Sequence, residues 1–283
     1  MLSESVISIL PDLEFDEAIE ITKIYSISGE LDNTIGVVKN RPFRKPHYTS
    51  STISIIGGGK NPMPGEISLA HGGVLFLDEI PEFKRQTLEA LRGPLEDKKI
   101  VIRRANITAE YPANFMLIAS MNPCPCGYYG IDDNKCKCSM KAISKYIGKI
   151  SGPFLDRMDL HIEVKPVKFE EINSLKKTES SKDIKIRINT ARNIQLERYK
   201  NYSFYTNSQL TPNLIKKYCA LDNDSKSFLK IAFEKLGMSA RAYYRILKVA
   251  RTIADLDGKE KIEFNHLSEA VQYRNLDRKF FPR

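Results

Sequence analysis

Gly72-Gly73-Val74-Leu75-Phe76-Leu77-Asp78-Glu79-Ile80-Pro81 is the stretch on which the fold turns. Four consecutive apolar residues, Val74 to Leu77, are opened by two glycines and closed by two acids. That pattern predicts a strand buried on both faces of a parallel sheet, with its carboxylates at the C-terminal edge. Open α/β sheets bind ligands at that edge. In a nucleotide hydrolase, Asp78 in this position holds Mg²⁺, a hard cation that prefers carboxylate and water oxygens, and Glu79 orients or deprotonates the attacking water. The pattern is a Walker B strand with a catalytic glutamate; taken alone, it also fits a buried strand that ends in two solvated acids.

Downstream, Glu82 to Arg92 predicts a short helix with Phe83, Leu88 and Leu91 inward. A β-hairpin follows, Lys99 to Arg103 against Asn106 to Glu110, and Lys98, Lys99, Arg103 and Arg104 crowd its ends. These four are either solvated strand ends or a grip on a phosphate backbone. Phe115 to Ser120 predicts a second apolar strand, with Asn122-Pro123 just beyond it. An amide there can orient the water that attacks a γ-phosphate, and an Asn-Pro turn is the plainer reading. Ser151 to Asp159 then places Arg157 and two acids ahead of a predicted strand, Leu160 to Val164. Arg157 is a candidate arginine finger or half of a local Arg–Asp pair.

Upstream, Leu13 to Ser28 predicts an amphipathic helix with Phe15, Ala18, Ile21 and Tyr25 inward, Ile24 and Ile27 off that face, and Gly29 as its stop. The next forty residues are rich in Pro, Gly, Ser, Thr and basic residues, among them Arg41, Arg44, Lys45 and His47, and predict a long loop. Gly59-Lys60 is not a phosphate loop. The pattern G-x-x-x-x-G-K-[ST] needs a glycine where Ser54 stands and a hydroxyl where Asn61 stands, and no other stretch of the 283 residues matches it.

Composition excludes disorder: 42% of residues are hydrophobic and 28% charged. No apolar run approaches the roughly 18 residues that cross a bilayer, and Met1-Leu-Ser-Glu-Ser does not open a secretory signal, so the expected compartment is the cytoplasm. The net charge of +9 is uneven, with 20 basic against 21 acidic residues up to 165 and 24 against 14 beyond it. Such a surplus suits nucleic acid and equally suits a Lys-rich proteome. Helices are predicted at 183–199, 212–220, 224–236, 240–256 and 266–273. In the fourth, Ala242, Ile246, Val249, Ile253 and Leu256 form an apolar stripe, Arg241, Arg245 and Lys248 a basic one, and Ser239 the N-cap.

Cys124, Cys126, Cys136 and Cys138 form C-x-C-x₉-C-x-C. Four thiolates at this density could close a tetrahedral Zn²⁺ site, although the gap inside each pair is tighter than usual; free thiols are the alternative, and zinc stays open. Cys219 predicts a small core residue. His47, His71, His161 and His266 show no ligand spacing.

Four motifs in series are more specific: Pro64 to Glu79, Glu89-Ala-Leu-Arg-Gly-Pro-Leu-Glu96, Asn122-Pro-Cys-Pro-Cys-Gly127 and Ser151-Gly-Pro-Phe-Leu-Asp-Arg-Met-Asp-Leu160. With Ser239-Ala-Arg-Ala242, Ala250 to Leu256 and Gln272 to Arg278, they resemble the magnesium-chelatase-related AAA+ ATPase family and, within it, the ComM (YifB) competence-protein group. The resemblance implies an α/β AAA+ core over residues 1–165, lacking its first strand and P-loop, then a helical lid over 166–283. It implies Asp78 and Glu79 as Walker B, with Asp78 as the Mg²⁺ ligand, Asn122 as sensor 1, Arg157 as arginine finger and Arg241 as sensor 2. Residues 40–60 become the helix-2 insert and 96–110 the pre-sensor-1 hairpin, the elements expected to engage DNA. ATP and Mg²⁺ are the implied cofactors, and the expected assembly is a homo-oligomer or a mixed hexamer with a chain that supplies Walker A. Family members carry the P-loop just before the segment that opens this chain, so it reads as a C-terminal fragment that does not bind ATP alone. The alternatives are a non-hydrolysing DNA- or partner-binding module and a decayed remnant.

Overall fold

The structure is a computed structural model that describes residues 2–32, 36–104, 107–131, 135–166 and 179–274. It divides into two compact units, Met1–Arg157 and Met158–Arg283. The first runs α1 (Leu2–Ser5), α2 (Phe15–Ser28), β1 (Phe43–Arg44), α3 (Thr52–Ile56), β2 (Gly57–Gly58), β3 (Met63–Pro64), α4 (Glu66–Leu69) and β4 (Val74–Leu77). It continues through α5 (Arg85–Ala90), α6 (Arg92–Asp97), β5 (Lys99–Arg104), β6 (Ile107–Pro112), β7 (Met116–Ala119), α7 (Met140–Ile147) and α8 (Gly152–Leu155).

Strand β4 is the middle of a parallel sheet of order β1-β4-β7. All four of its side chains are buried, as the unbroken apolar run predicts. At about 1.5–3 kcal/mol per buried large apolar side chain, this strand anchors the unit. The glycines before it have a steric reason. The Val74 amide donates to the Pro42 carbonyl at 2.8 Å, and a Cβ on Gly73 would lie 2.0 Å from that same oxygen.

Helix α2 ends at Gly29 in the left-handed conformation, as expected. Its buried face differs from the predicted one: Ala18, Ile21 and Ile24 are inside, whereas Phe15 is exposed. The helix packs against α4 and β3, and Phe15 is its first residue. Within the predicted long loop, the chain instead builds β1, α3 and the β2–β3 ribbon. Its basic residues there are largely structural. Arg41 pairs with Glu17 at 2.7 Å and donates to the carbonyls of Pro11 and Gly72, and Arg44 grips Glu66 with two nitrogens and Glu30 with the third.

Two predicted elements are corrected. The helix at 82–92 is a 3₁₀ turn (Ile80–Glu82) followed by α5 and α6, because Pro81 starts a new turn and the backbone is extended at Phe83 before α5 begins. The strand at Leu160–Val164 does not form. Leu160, Ile162 and Val164 are exposed, and among the described residues no neighbouring strand offers them a ladder.

The second unit holds α9 (Ser181–Tyr199), α10 (Pro212–Tyr218), α11 (Asn223–Leu236), α12 (Ala240–Leu256) and α13 (Phe264–Gln272). Side chains of Ser180, Asp222 and Ser239 cap three of them by accepting from the backbone three residues on. Cys219 is in its core, where burial pushes the thiol up to about 11. On α12 the buried stripe is Ala242, Ile246, Leu247, Ala250 and Ala254, with Arg251 and Asp255 buried among them. Val249 and Ile253 are half-buried and Leu256 is exposed, contrary to the periodicity. Asp255 accepts from Arg251 at 3.1 Å, from Arg198 at 2.8 Å and from the Asn207 amide at 2.8 Å, and Arg251 also donates to the carbonyls of Lys259 and Glu260. A parallel-sheet unit followed by a helical unit is the order expected of an AAA+ core and lid.

Candidate functional site

The C-terminal ends of three parallel strands bring together residues distant in sequence. Register aligns Leu77 with Ala119, so Asp78 leaves β4 beside Ser120 leaving β7. The Ser120 hydroxyl donates to Asp78 Oδ1 in a short hydrogen bond, and the Glu79 amide donates to the same oxygen at 3.2 Å. Both acids are exposed at this edge. Glu79 has φ 52° and ψ 49°, a left-handed conformation costly for a residue with a side chain. Neighbouring bonds hold it there: Ile80 N–H donates to Ser120 O at 3.0 Å, and Glu82 N–H to Glu79 O at 2.8 Å. Strain of this kind collects where geometry is over-determined for function.

Asn122, exposed, follows Ser120 by two residues on the same edge. The buried Tyr146 on α7 meets the Asn122 backbone; burial first, then the carboxylates of Glu82 and Glu79, raise that phenol's pKa. Lys45, just past β1, places its ammonium 5.2 Å from the Phe76 ring centroid and pairs with Glu4 at 2.9 Å. Glu4, and Asp78 more weakly, raise the Lys45 pKa. A hard divalent cation suits the exposed Asp78 carboxylate, whose one oxygen is fixed by Ser120. The sequence alone assigns no role to Tyr146, marks Ser120 only as the end of a predicted strand, and places Lys45 only among the basic residues of a predicted loop. Strand pairing alone brings Ser120 to Asp78, and its only linear signal was a hydroxyl at the end of a predicted strand.

The arginines lie elsewhere. Arg157, in the turn after α8, has a side chain only 5% exposed, and it pairs with Glu96 at 2.8 Å and donates to the Pro153 carbonyl. Arg241, in the second unit, is exposed in the first turn of α12, whose cap is the expected Ser239. On the same helix, Arg245 pairs with Asp159 at 2.6 Å and Lys248 donates to the Ser208 carbonyl at 2.7 Å.

The hairpin forms as β5 and β6, antiparallel, with Arg103 opposite Thr108. Ile100, Ile102 and Tyr111 form its buried face, and the Tyr111 hydroxyl donates to Pro62 O at 2.7 Å, seating it on the β2–β3 ribbon. Within the bounds predicted for the two DNA-contacting elements, Ile102 of the hairpin approaches Gly57 so closely that a Cβ there would lie 2.9 Å from Ile102 Cδ1, so the two touch. Lys98 is exposed in a left-handed turn, Arg103 is exposed, and Lys99 lies 3.1 Å from both oxygens of Glu110. The side chain of Arg104 lies outside the described ones.

The four clustered cysteines converge. Their sulfurs all lie within 4.8 Å of one another.

Comparison with known proteins gives two family matches, magnesium chelatase, subunit ChlI, over residues 1–172, and the C-terminal part of that subunit over residues 178–274. The competence protein ComM of Haemophilus influenzae is 44% identical over 280 residues, which is 98% of this chain and 53% of that protein. The uncharacterized protein YifB of Escherichia coli is 44% identical over 282 residues, 98% of this chain and 54% of its own. An uncharacterized protein of Mycobacterium tuberculosis is 34% identical over 275 residues. The chain spans about half the length of the curated relatives it matches. No helix among the described residues is long and apolar enough to cross a membrane.

Proposed function

The chain belongs to the magnesium chelatase subunit ChlI family, and on that premise we propose that it supplies the Walker B and sensor half of an ATP-driven motor working on DNA. The observation that carries this reading is the sheet edge, where Asp78 is braced by Ser120, Glu79 is held in a strained turn, and Asn122 lies two residues beyond Ser120. Asp78 would hold Mg²⁺, which supplies charge neutralisation at the phosphates when bound. Glu79 takes the proton of the attacking water or orients it, and Asn122 fixes the water from the neighbouring strand. Arg157 serves as the finger toward a neighbouring subunit of a hexamer, and Arg241 serves as sensor 2. Finger action requires Arg157 to leave Glu96. The hairpin residues Lys98, Lys99, Arg103 and Arg104 bind the DNA backbone.

These 283 residues contain no Walker A pattern, so on this reading the site turns over ATP only when a Walker A loop from outside them completes it. The test is ATP turnover by the purified chain, alone and mixed with a full-length relative that keeps its Walker A loop and is made inert by replacing its own Walker B glutamate with glutamine. Turnover in neither sample, with salt-sensitive DNA binding retained, would replace the motor by a non-hydrolysing DNA-binding module. Turnover by the chain alone that disappears on Glu79→Gln would refute the need for a second chain.

A further inference from the structure

We propose that Cys124, Cys126, Cys136 and Cys138 form a structural zinc site whose task is to hold the Asn122 turn in place. The proposal deepens the sensor reading of Asn122, yet the metal site stands or falls on separate observations.

Zinc bonded to four thiolates at about 2.3 Å in a tetrahedron places each pair of sulfurs roughly 3.8 Å apart. Here the Cys124–Cys126, Cys126–Cys136 and Cys124–Cys136 sulfurs are 3.4, 3.7 and 3.9 Å apart. A disulfide needs about 2.0 Å. The span of 4.8 Å across all four leaves room for one ion rather than a multinuclear cluster. Four soft thiolates without a carboxylate or open position match a closed structural site for zinc, a metal indifferent to redox state. The short gap between Cys124 and Cys126 is accommodated by a turn: Gly127 adopts φ +84°, and its amide donates to the Cys124 carbonyl at 3.0 Å. The Tyr129 amide points at Cys124 Sγ from 3.4 Å, the kind of N–H contact that stabilises a metal-bound thiolate.

The surroundings give the metal a purpose. From Ser120 to Ser139 the described chain has neither helix nor strand. A segment that long has little of its own to fix it, and a metal cross-link supplies the constraint. Cys124 is fully buried and two residues from Asn122. The turn folds back so far that a Cβ on Gly127 would lie 3.9 Å from the Asn122 side-chain carbon. The same ion that ties Cys124 and Cys126 to Cys136 and Cys138 thus fixes the turn against which Asn122 rests.

The experiment measures metal on the full chain purified without chelator, by elemental analysis and by dye-detected release on thiol modification. One zinc per chain is expected, and cobalt(II) exchanged into it should show the intense visible bands of a tetrahedral thiolate site. Cys136→Ser/Cys138→Ser should lose the metal and the cobalt bands, and should speed proteolysis within 120–139. In case that variant fails to fold, the unsubstituted chain is also stripped with chelator: amide exchange at 120–131 should rise at least tenfold and return on adding zinc. Four freely titrating thiols with no bound metal, an iron-thiolate spectrum, or unchanged exchange on stripping would each overturn the proposal. None of these readouts uses ATP or DNA, so its failure leaves the Asp78 and Glu79 reading untouched.

Discussion

Replacing Glu79 by glycine and by alanine separates the backbone of the candidate catalytic residue from its carboxylate. At φ 52° a residue with a Cβ bears roughly 1–2 kcal/mol of left-handed strain, which glycine does not. Glycine in turn loses more chain entropy on folding, roughly 0.5–1 kcal/mol relative to alanine. At an ordinary backbone position Glu79→Gly is therefore the less stable variant. At this one it should be the more stable by about 0.5–1 kcal/mol, worth roughly 2 °C in melting temperature for a unit of this size. Both variants remove the same charge beside Asp78, so the change in repulsion cancels in the comparison. Thermal unfolding of the two proteins side by side, followed by circular dichroism without nucleotide, reads the difference. An alanine variant that melts at or above the glycine variant would show that Glu79 is unstrained in solution and that its turn is not imposed by the Ser120 contacts.

Other perturbations follow from the same geometry. Asp255→Ala strands Arg251 and Arg198 in the second unit's core and should cost about 3–5 kcal/mol, read by urea unfolding; a loss below about 1 kcal/mol would mean that the network does not hold the helices together. Arg157→Ala should lower the stability of the isolated chain by about 1–2 kcal/mol, since Glu96 is partly exposed and its loss of a partner is softened by solvent. An unchanged melting temperature would show Arg157 already free to serve a neighbouring subunit. Lys98→Ala/Lys99→Ala should flatten the log–log salt dependence of DNA binding by up to about two units, and Glu110→Gln should strengthen binding by releasing Lys99. A slope that stays the same moves the contact to the second unit's basic helices.

The run Val74–Leu77 and its two acids determined the central strand, the sheet edge and the place of Asp78 and Glu79, because a fully buried parallel strand writes its burial directly into consecutive residues. Local chemistry likewise determined the caps at Gly29 and Ser239, the hairpin at 99–112, and the family through the order of its motifs. Pairing across the chain decided the rest. Helix α12 presents Arg251 and Asp255 to its own core, and a linear pattern that sorts charged residues outward misplaces Val249, Ile253 and Leu256. Leu160, Ile162 and Val164 alternate as a strand should, yet a strand exists only where another offers it hydrogen bonds. Ser120 reaches Asp78 through strand register, Arg157 is tied down by Glu96 some sixty residues earlier, and the sulfurs of two cysteine pairs separated by nine residues meet within 4.8 Å. Those are long-range distances, and spacing along one chain does not encode them.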